Sequence, residues 1–402
     1  MGRVVRVTAL LACSAALVTA EAQRGAAAVP RSARAIARVR DSVAAVLQRG
    51  LDAGAYPGAV AVVGSRARVL ATVGVGRLDA ADPTVPDVHT RWDLASLTKV
   101  VGTTTLVLQL VDAGRVQLDS PMVRYLPQWT GERAESVTVR QLLAHASGLP
   151  AWRSFYKDAD DAAEARRQLL LVAPEVRPGT RYKYSDIGFL LLGRMVEELT
   201  GQRLDSAWAA RVARPLGLAE SGWLPAYEAR PAIAPTEFDS WRQAKVHGIV
   251  HDENAWRFGG VAGHAGLFAS AADLARVAQL WLGGGTRGRV RLARRATVAE
   301  FTRAQDTLVS RRALGWETPN GTNSAGTRLS PRAFGHTGFT GTSMWMDPAR
   351  DLFVILLTNR VNPSRDNTRI GGVRTALADA VVGALEGPRP AAPTSPAARP
   401  TP

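Results

Sequence analysis

The chain has 402 residues, 46% of them apolar, and a formal charge of +15 at pH 7; this is enough apolar material for a substantial core and argues against a disordered chain. The positive charge is almost all arginine and is scattered, with no helix-turn-helix, zinc-finger or aromatic RNA-binding signature, which argues against nucleic acid as a partner. A general attraction to anionic wall polymer or lipid headgroups fits it better.

At the N-terminus, Arg3 and Arg6 precede an apolar stretch from Val7 to Ala20, and Ala20-Glu21-Ala22 supplies the small residues of a cleavage site after Ala22. This is the layout of a signal peptide over residues 1–22, and it predicts an exported protein, periplasmic or secreted. The single cysteine, Cys13, lies in "LLAC", which also resembles a lipoprotein cleavage box, so anchoring through Cys13 is the alternative to simple cleavage. Without Cys13 the mature chain has no disulfide, thiol nucleophile or thiolate metal site. No later apolar segment is long and charge-free enough to span a bilayer.

The body of the chain is expected to form one domain over residues 31–386. Ile36, Val39, Val43, Val46 and Leu47 recur at helical spacing, and Gly54 follows as a stop. Two β-branched runs flank Ser65-Arg66-Ala67 as a hairpin. From about 96 to 282 the period turns helical, with helices expected over 96–113, 138–146, 160–171, 185–199, 204–213 and 270–282. Strand character returns in "ALGWET", "AFGHTG", "GTSMWMDP" and "LFVILLTNR". A last helix over about 368–385 precedes a Pro/Ala-rich tail, 387–402, that is unsuited to packing. The expected fold class is therefore α+β: an antiparallel sheet built from both ends of the chain, flanked by helices, with a helical region inserted and a cleft at the junction.

The helix expected at 96 opens with Ser96 and Lys99, side by side at i and i+3. A serine hydroxyl needs an adjacent base to act as a nucleophile, and a lysine can serve if its surroundings disfavour the ammonium form. The bland alternative is a helix cap and a solvated lysine. The chain has only four lysines, Lys99, Lys157, Lys183 and Lys245, so with about twenty serines an S-x-x-K pattern is expected by chance roughly 0.2 times. Two further stretches complete an ordered set: Tyr184-Ser185-Asp186 in "RYKYSDIGFLLLGRMVEELTG" and His336-Thr337-Gly338 in "FGHTGFTGTSMWMD".

In this order the three motifs resemble those of the serine β-lactamase and penicillin-binding-protein superfamily. The likeness extends over about residues 40–385 and looks strongest to the class C β-lactamase, D,D-carboxypeptidase and esterase branch. It implies that Ser96 is acylated, that Lys99 and Tyr184 shuttle its proton, and that the backbone N–H groups of Ser96 and Phe339 form an oxyanion hole. It also implies that Asp186, His336, Thr337 and Gly338 border the substrate. Asp186 stands where many relatives have asparagine; its charge would favour a charged Lys99, making Tyr184 the better base, and its lack of an amide donor favours esters over peptides. The bland reading makes Asp186 a helix cap. His336 replaces the commoner lysine, and carboxylate recognition there would follow the histidine charge.

The resulting expectation is an exported serine hydrolase, D-Ala-D-Ala carboxypeptidase-like on cell-wall peptides, with an esterase or β-lactamase as the near alternative. A non-catalytic penicillin-sensing or wall-binding protein is the alternative of another class. No cofactor is implied: Gly283-Gly284-Gly285-Thr286-Arg287-Gly288 matches G-x-G-x-x-G but follows a helix, which reads as a turn. His247, His251 and His264 with Asp252 and Glu253 lack a metal-site spacing and have loop character, and the resemblance implies that this loop borders the cleft. His145 reads as a structural histidine at a helix end. Six of the ten tryptophans, Trp92, Trp152, Trp223, Trp241, Trp256 and Trp345, are candidates for an apolar cleft floor or, more plainly, for core packing.

Overall fold

The computed structural model describes residues 32–305 and 308–387; the expected signal segment, Cys13 and most of the 387–402 tail lie outside them. Helix α1 (Ala33–Asp52) starts where the Ser32 hydroxyl accepts the Ala35 N–H at 3.3 Å, and its buried face is the predicted Val39, Val43, Val46 and Leu47. The hairpin follows as β1 (Gly58–Gly64) and β2 (Val69–Gly76), joined by the expected turn.

Strand β3 (Arg91–Asp93) leads to the Ser96 segment, then to helix α2 (Thr105–Asp112). Helix α3 spans Asp186–Thr200. Strand β4 (Phe268–Ser270) pairs antiparallel with β3 and feeds helix α4 (Ala271–Leu282). The late strands are β5 (Phe334–Thr337), β6 (Ser343–Asp347) and β7 (Leu352–Thr358), and helix α5 (Ile370–Glu386) closes the described chain.

The main sheet is antiparallel in the order β2-β1-β7-β6-β5, with Val62 opposite Ile355 where the two ends of the chain meet. Because alternate residues of a strand face opposite sides, Ala59, Ala61, Val63, Leu352, Val354 and Leu356 pack against α1 and α5. Val60, Val62, Phe353, Ile355 and Leu357 join the larger core that contains α4 and the helical region. Burial on both faces explains why β1 and β7 read as unbroken apolar runs.

Two expectations are corrected, and one helix is added. "ALGWET" forms no strand among the described residues; Glu317 makes only an isolated bridge to Gly335. The middle region is less helical than its period suggested, because residues 217–252 run as turns, a short 3-10 helix and two-residue strands stitched by side chains. Helix Arg295–Thr302 had no clear period to announce it. No described helix is long and apolar enough to cross a membrane.

Candidate active site

Ser96 lies in a turn rather than inside a helix, directly after Ala95, whose φ of 46° is costly for a residue with a Cβ. Buried Asp93 holds this turn: its Oδ1 accepts the Ala95 N–H at 2.8 Å and its Oδ2 accepts the His251 N–H at 2.6 Å. The following Lys99–Thr104 segment is a π-helical turn, a form often found at functional sites, and the Thr105 hydroxyl satisfies the Val100 carbonyl at 2.9 Å.

Lys99 is fully buried, which removes the reading of a solvated side chain. Its Nζ donates to Ser96 Oγ at 2.8 Å and to the His264 carbonyl at 3.2 Å, and forms an ion pair with Asp186 Oδ1 at 2.7 Å. Burial favours the neutral amine, but the carboxylate charge of Asp186, with the hydrogen bonds to Asp186 and Tyr184, outweighs it and holds Lys99 above the ordinary lysine range.

The second motif sits at the start of α3. The helix cap is Ser185, whose hydroxyl accepts the Gly188 N–H at 3.2 Å and donates to the Pro150 carbonyl at 2.6 Å. Asp186 is therefore not the cap; it is the counter-charge of Lys99. The Tyr184 hydroxyl hydrogen-bonds with Lys99 and Ser96, and burial, reinforced by Asp186, pushes its phenol above the usual range despite the pull of Lys99. The Tyr184 ring stacks on His145 at 4.5 Å, and His145 Nδ1 accepts the Ser185 N–H at 3.0 Å. Burial keeps His145 neutral, as do the charges of Arg312 and Lys99. The expected structural role holds, and His145 also orients the phenol.

The third motif explains its glycine. A Cβ on Gly338 would stand 2.3 Å from the Leu94 carbonyl oxygen and 2.1 Å from Thr342 Oγ1, so only glycine lets the end of β5 close on the Ser96 segment. Thr340 Oγ1 donates to the Asp93 carbonyl at 2.7 Å and Thr342 Oγ1 to the Leu94 carbonyl at 3.1 Å. The Phe339 carbonyl accepts from Arg360 Nε at 2.7 Å. Among the described residues, neither the Ser96 nor the Phe339 amide donates to another backbone group, so both are available to a developing oxyanion.

His336 departs from expectation. Its Nδ1 donates to the Thr337 carbonyl at 2.7 Å, and burial together with the Arg312 and Lys99 charges holds it well below the ordinary histidine value. It stays neutral through the histidine range, and the expected histidine-dependent recognition of carboxylates is withdrawn. The ratio of turnover on an acidic substrate to turnover on a neutral ester should therefore stay constant from about pH 6 to 8, measured on one preparation. The fixed cations on this side are Arg312 and Arg374, which sequence reasoning missed because arginine is abundant in this chain. Arg312 lies 5.6 Å from the Tyr184 ring, and Arg374 Nη2 donates to the Gly338 and Thr342 carbonyls at 2.7 and 2.8 Å.

Comparison with known proteins agrees with this geometry. The sequence pattern of the family described as "Beta-lactamase" matches residues 43–378. This chain belongs to the β-lactamase family. It is 33% identical over 304 residues to "Putative D-alanyl-D-alanine carboxypeptidase" of Escherichia coli (strain K12), covering 67% of this chain and 69% of that protein. It is 31% identical over 323 residues to the protein of the same name from Salmonella agona (strain SL483), covering 72% and 74%. Among solved structures, "EstCE1, a hydrolase with promiscuous acyltransferase activity" shares the fold with a TM-score of 0.71 at 21% identity, covering 87% of this chain and 100% of that one.

As a member of the β-lactamase family the protein is a serine hydrolase, and its remaining candidate residues divide clearly. His247 contacts the Arg230 and Ile233 carbonyls, His251 pairs with Glu237 at 2.8 Å, and His264 with Asp252 at 3.0 Å. Among the described residues no three potential metal ligands converge. These histidines instead brace the loop that carries the His264 carbonyl to Lys99. Trp92, Trp223 and Trp345 are core residues, whereas Trp152, Trp241 and Trp256 are exposed. Tyr156 links Trp152 to Trp241, meeting Trp241 edge to face at 4.9 Å, and Trp241 in turn meets Trp256 at 5.4 Å.

Proposed function

We propose that this β-lactamase family member works by acyl-enzyme formation at Ser96 and acts on D-Ala-D-Ala-terminated cell-wall peptides. The observation that carries the reading is the Ser96 hydroxyl held 2.8 Å from a buried Lys99 amine, with the Tyr184 phenol beside both. Ser96 Oγ attacks the acyl carbonyl while its proton passes to whichever of Lys99 and Tyr184 is deprotonated. The Ser96 and Phe339 amides stabilise the oxyanion, and the Lys99–Tyr184 pair returns the proton to the leaving amine. Water then cleaves the acyl–Ser96 ester. Arg312, paired with Glu317 at 3.3 Å, places a guanidinium near Tyr184 and His336, where a terminal carboxylate would compete for it. The names of the relatives favour the peptide reading.

Ester hydrolysis is the second reading, and Asp186 favours it, because a carboxylate offers no donor to a substrate amide carbonyl. Export with cleavage after Ala22, or anchoring through Cys13, belongs to the same proposal and rests on the sequence pattern of residues 1–22. Intact-mass measurement after mixing with a D-Ala-D-Ala peptide, a p-nitrophenyl ester or a penicillin tests it. A mass gain should appear in the native enzyme and vanish in Ser96→Ala, with D-alanine released from the peptide. Adducts that persist in Ser96→Ala overturn the nucleophile, and ester turnover without D-alanine release selects the second reading.

A further inference from the structure

The glycine-rich turn that follows α4 has no part in the catalytic arrangement, yet it borders a strongly charged space. With the β1–β2 turn it encloses an open cavity of about 640 Å³ lined by Arg66, Arg287, Arg291, Arg294 and Arg295, and by no acidic residue. Two of these arginines are partly neutralised from outside the lining: Arg66 by Asp351 at 3.4 Å and Arg294 by Asp112 at 3.0 Å. Among the described residues Arg287 has only the neutral side-chain amide oxygen of Gln279, at 2.8 Å. Among the described residues Arg291 and Arg295 have no acidic partner. Burial and the neighbouring charge of Arg276 both disfavour the charged form of Arg287, as expected where cations crowd without a counter-charge. Helix Arg295–Thr302 starts at this cavity without a side-chain cap, which adds the donor end of its first turn.

The cavity lies away from Ser96. Leu356 is level with Ser343, which pairs with Thr337, and five residues along β7 separate it from Asp351, the partner of Arg66, a distance of about 16 Å at strand rise. Guanidinium forks match phosphate oxygens in bidentate geometry, and five of them around this volume exceed what a single phosphate can engage.

We propose that this arginine cavity is a binding site for a multiply phosphorylated anion, independent of the hydrolytic centre. The ligand chemistry is that of closely spaced phosphates, as in a soluble polyphosphate chain or in clustered anionic lipid headgroups. Titration calorimetry of the full chain with inorganic tripolyphosphate, at about 0.1 M salt where surface charges are largely screened, should give one saturable site. The triple variant R287Q/R291Q/R295Q should weaken it by at least about tenfold. A control triple of equal charge change at exposed sites, R34Q/R124Q/R332Q, should leave binding within about twofold. Unchanged ester turnover in both triples verifies folding.

Phosphatidylglycerol vesicles form the second arm. Loss of vesicle sedimentation in the cavity triple alone assigns the site to lipid headgroups, and loss of tripolyphosphate binding alone assigns it to a soluble phosphate chain. Equal losses in the two triples, or no saturable binding of either probe to the native protein, overturn the proposal.

Discussion

At the residue scale, the departure that matters is Asp186. Its carboxylate is 2.7 Å from the Lys99 amine and holds that amine protonated, while the Tyr184 phenol is also held above its ordinary value. A general base acts only when deprotonated, so kcat/KM should climb with pH above neutrality instead of levelling off there. Asp186→Asn removes the carboxylate and leaves burial to dominate, which lowers the Lys99 value and moves the rising limb to lower pH by about one unit or more. A pH–rate profile of the two proteins checks this; an unmoved limb would show that Asp186 does not set the charge of the base. The Ser–Lys–Tyr arrangement was legible in the sequence because three rare motifs occur in order. Asp93 was not, because an isolated aspartate before a turn has no signature until its two acceptor oxygens are seen to hold Ala95 and His251.

At the element scale, the placement of Lys99 depends on a close passage of two backbones. A Cβ on Gly263 would stand 2.1 Å from the Phe189 carbonyl oxygen and 3.1 Å from Gly193 Cα, both backbone atoms that cannot turn aside. The Gly263 carbonyl also accepts from Thr103 Oγ1 at 2.7 Å, and the next residue offers its carbonyl to Lys99. Gly263→Ala should cost about 1–3 kcal/mol of stability and lower kcat along with it, read by denaturant melts and ester turnover. Gly372→Ala, in α5 with nothing within 4 Å of the added carbon, should instead stabilise by about 0.5–1 kcal/mol and leave turnover unchanged. Helices with a strong apolar period, such as α1, α3 and α4, were readable within a residue or two of their ends. The 217–252 segment was not, because side-chain bonds such as those of Asp239 to the Trp241 and Arg242 amides fix its path instead of a repeating pattern.

At the scale of the whole molecule, two neutral histidines, His145 and His336, tie folding to pH. Both are held well below 6.5. The unfolded chain therefore binds their protons first as pH falls through that value, and stability drops by about 1.4 kcal/mol per pH unit for each histidine until its folded value is reached. His145→Asn keeps an acceptor for the Ser185 amide and tolerates the φ of 56° found there. It should flatten the slope of stability between about pH 6.5 and 5 by the share of one histidine; an unaltered slope in urea melts would refute the assignment. The overall architecture was apparent from strands at both ends of the chain, while the partition of cations between cleft and surface emerged only with the fold.

The pairing of β1 with β7, Ala59 opposite Thr358, has a consequence for biosynthesis. Strand β1 waits for its second partner, made almost three hundred residues later, so a nascent chain can complete neither the sheet nor the turn that carries Phe339 until synthesis is nearly finished. The polypeptide would thus leave the ribosome without a finished cleft between the sheet and the Ser96 segment.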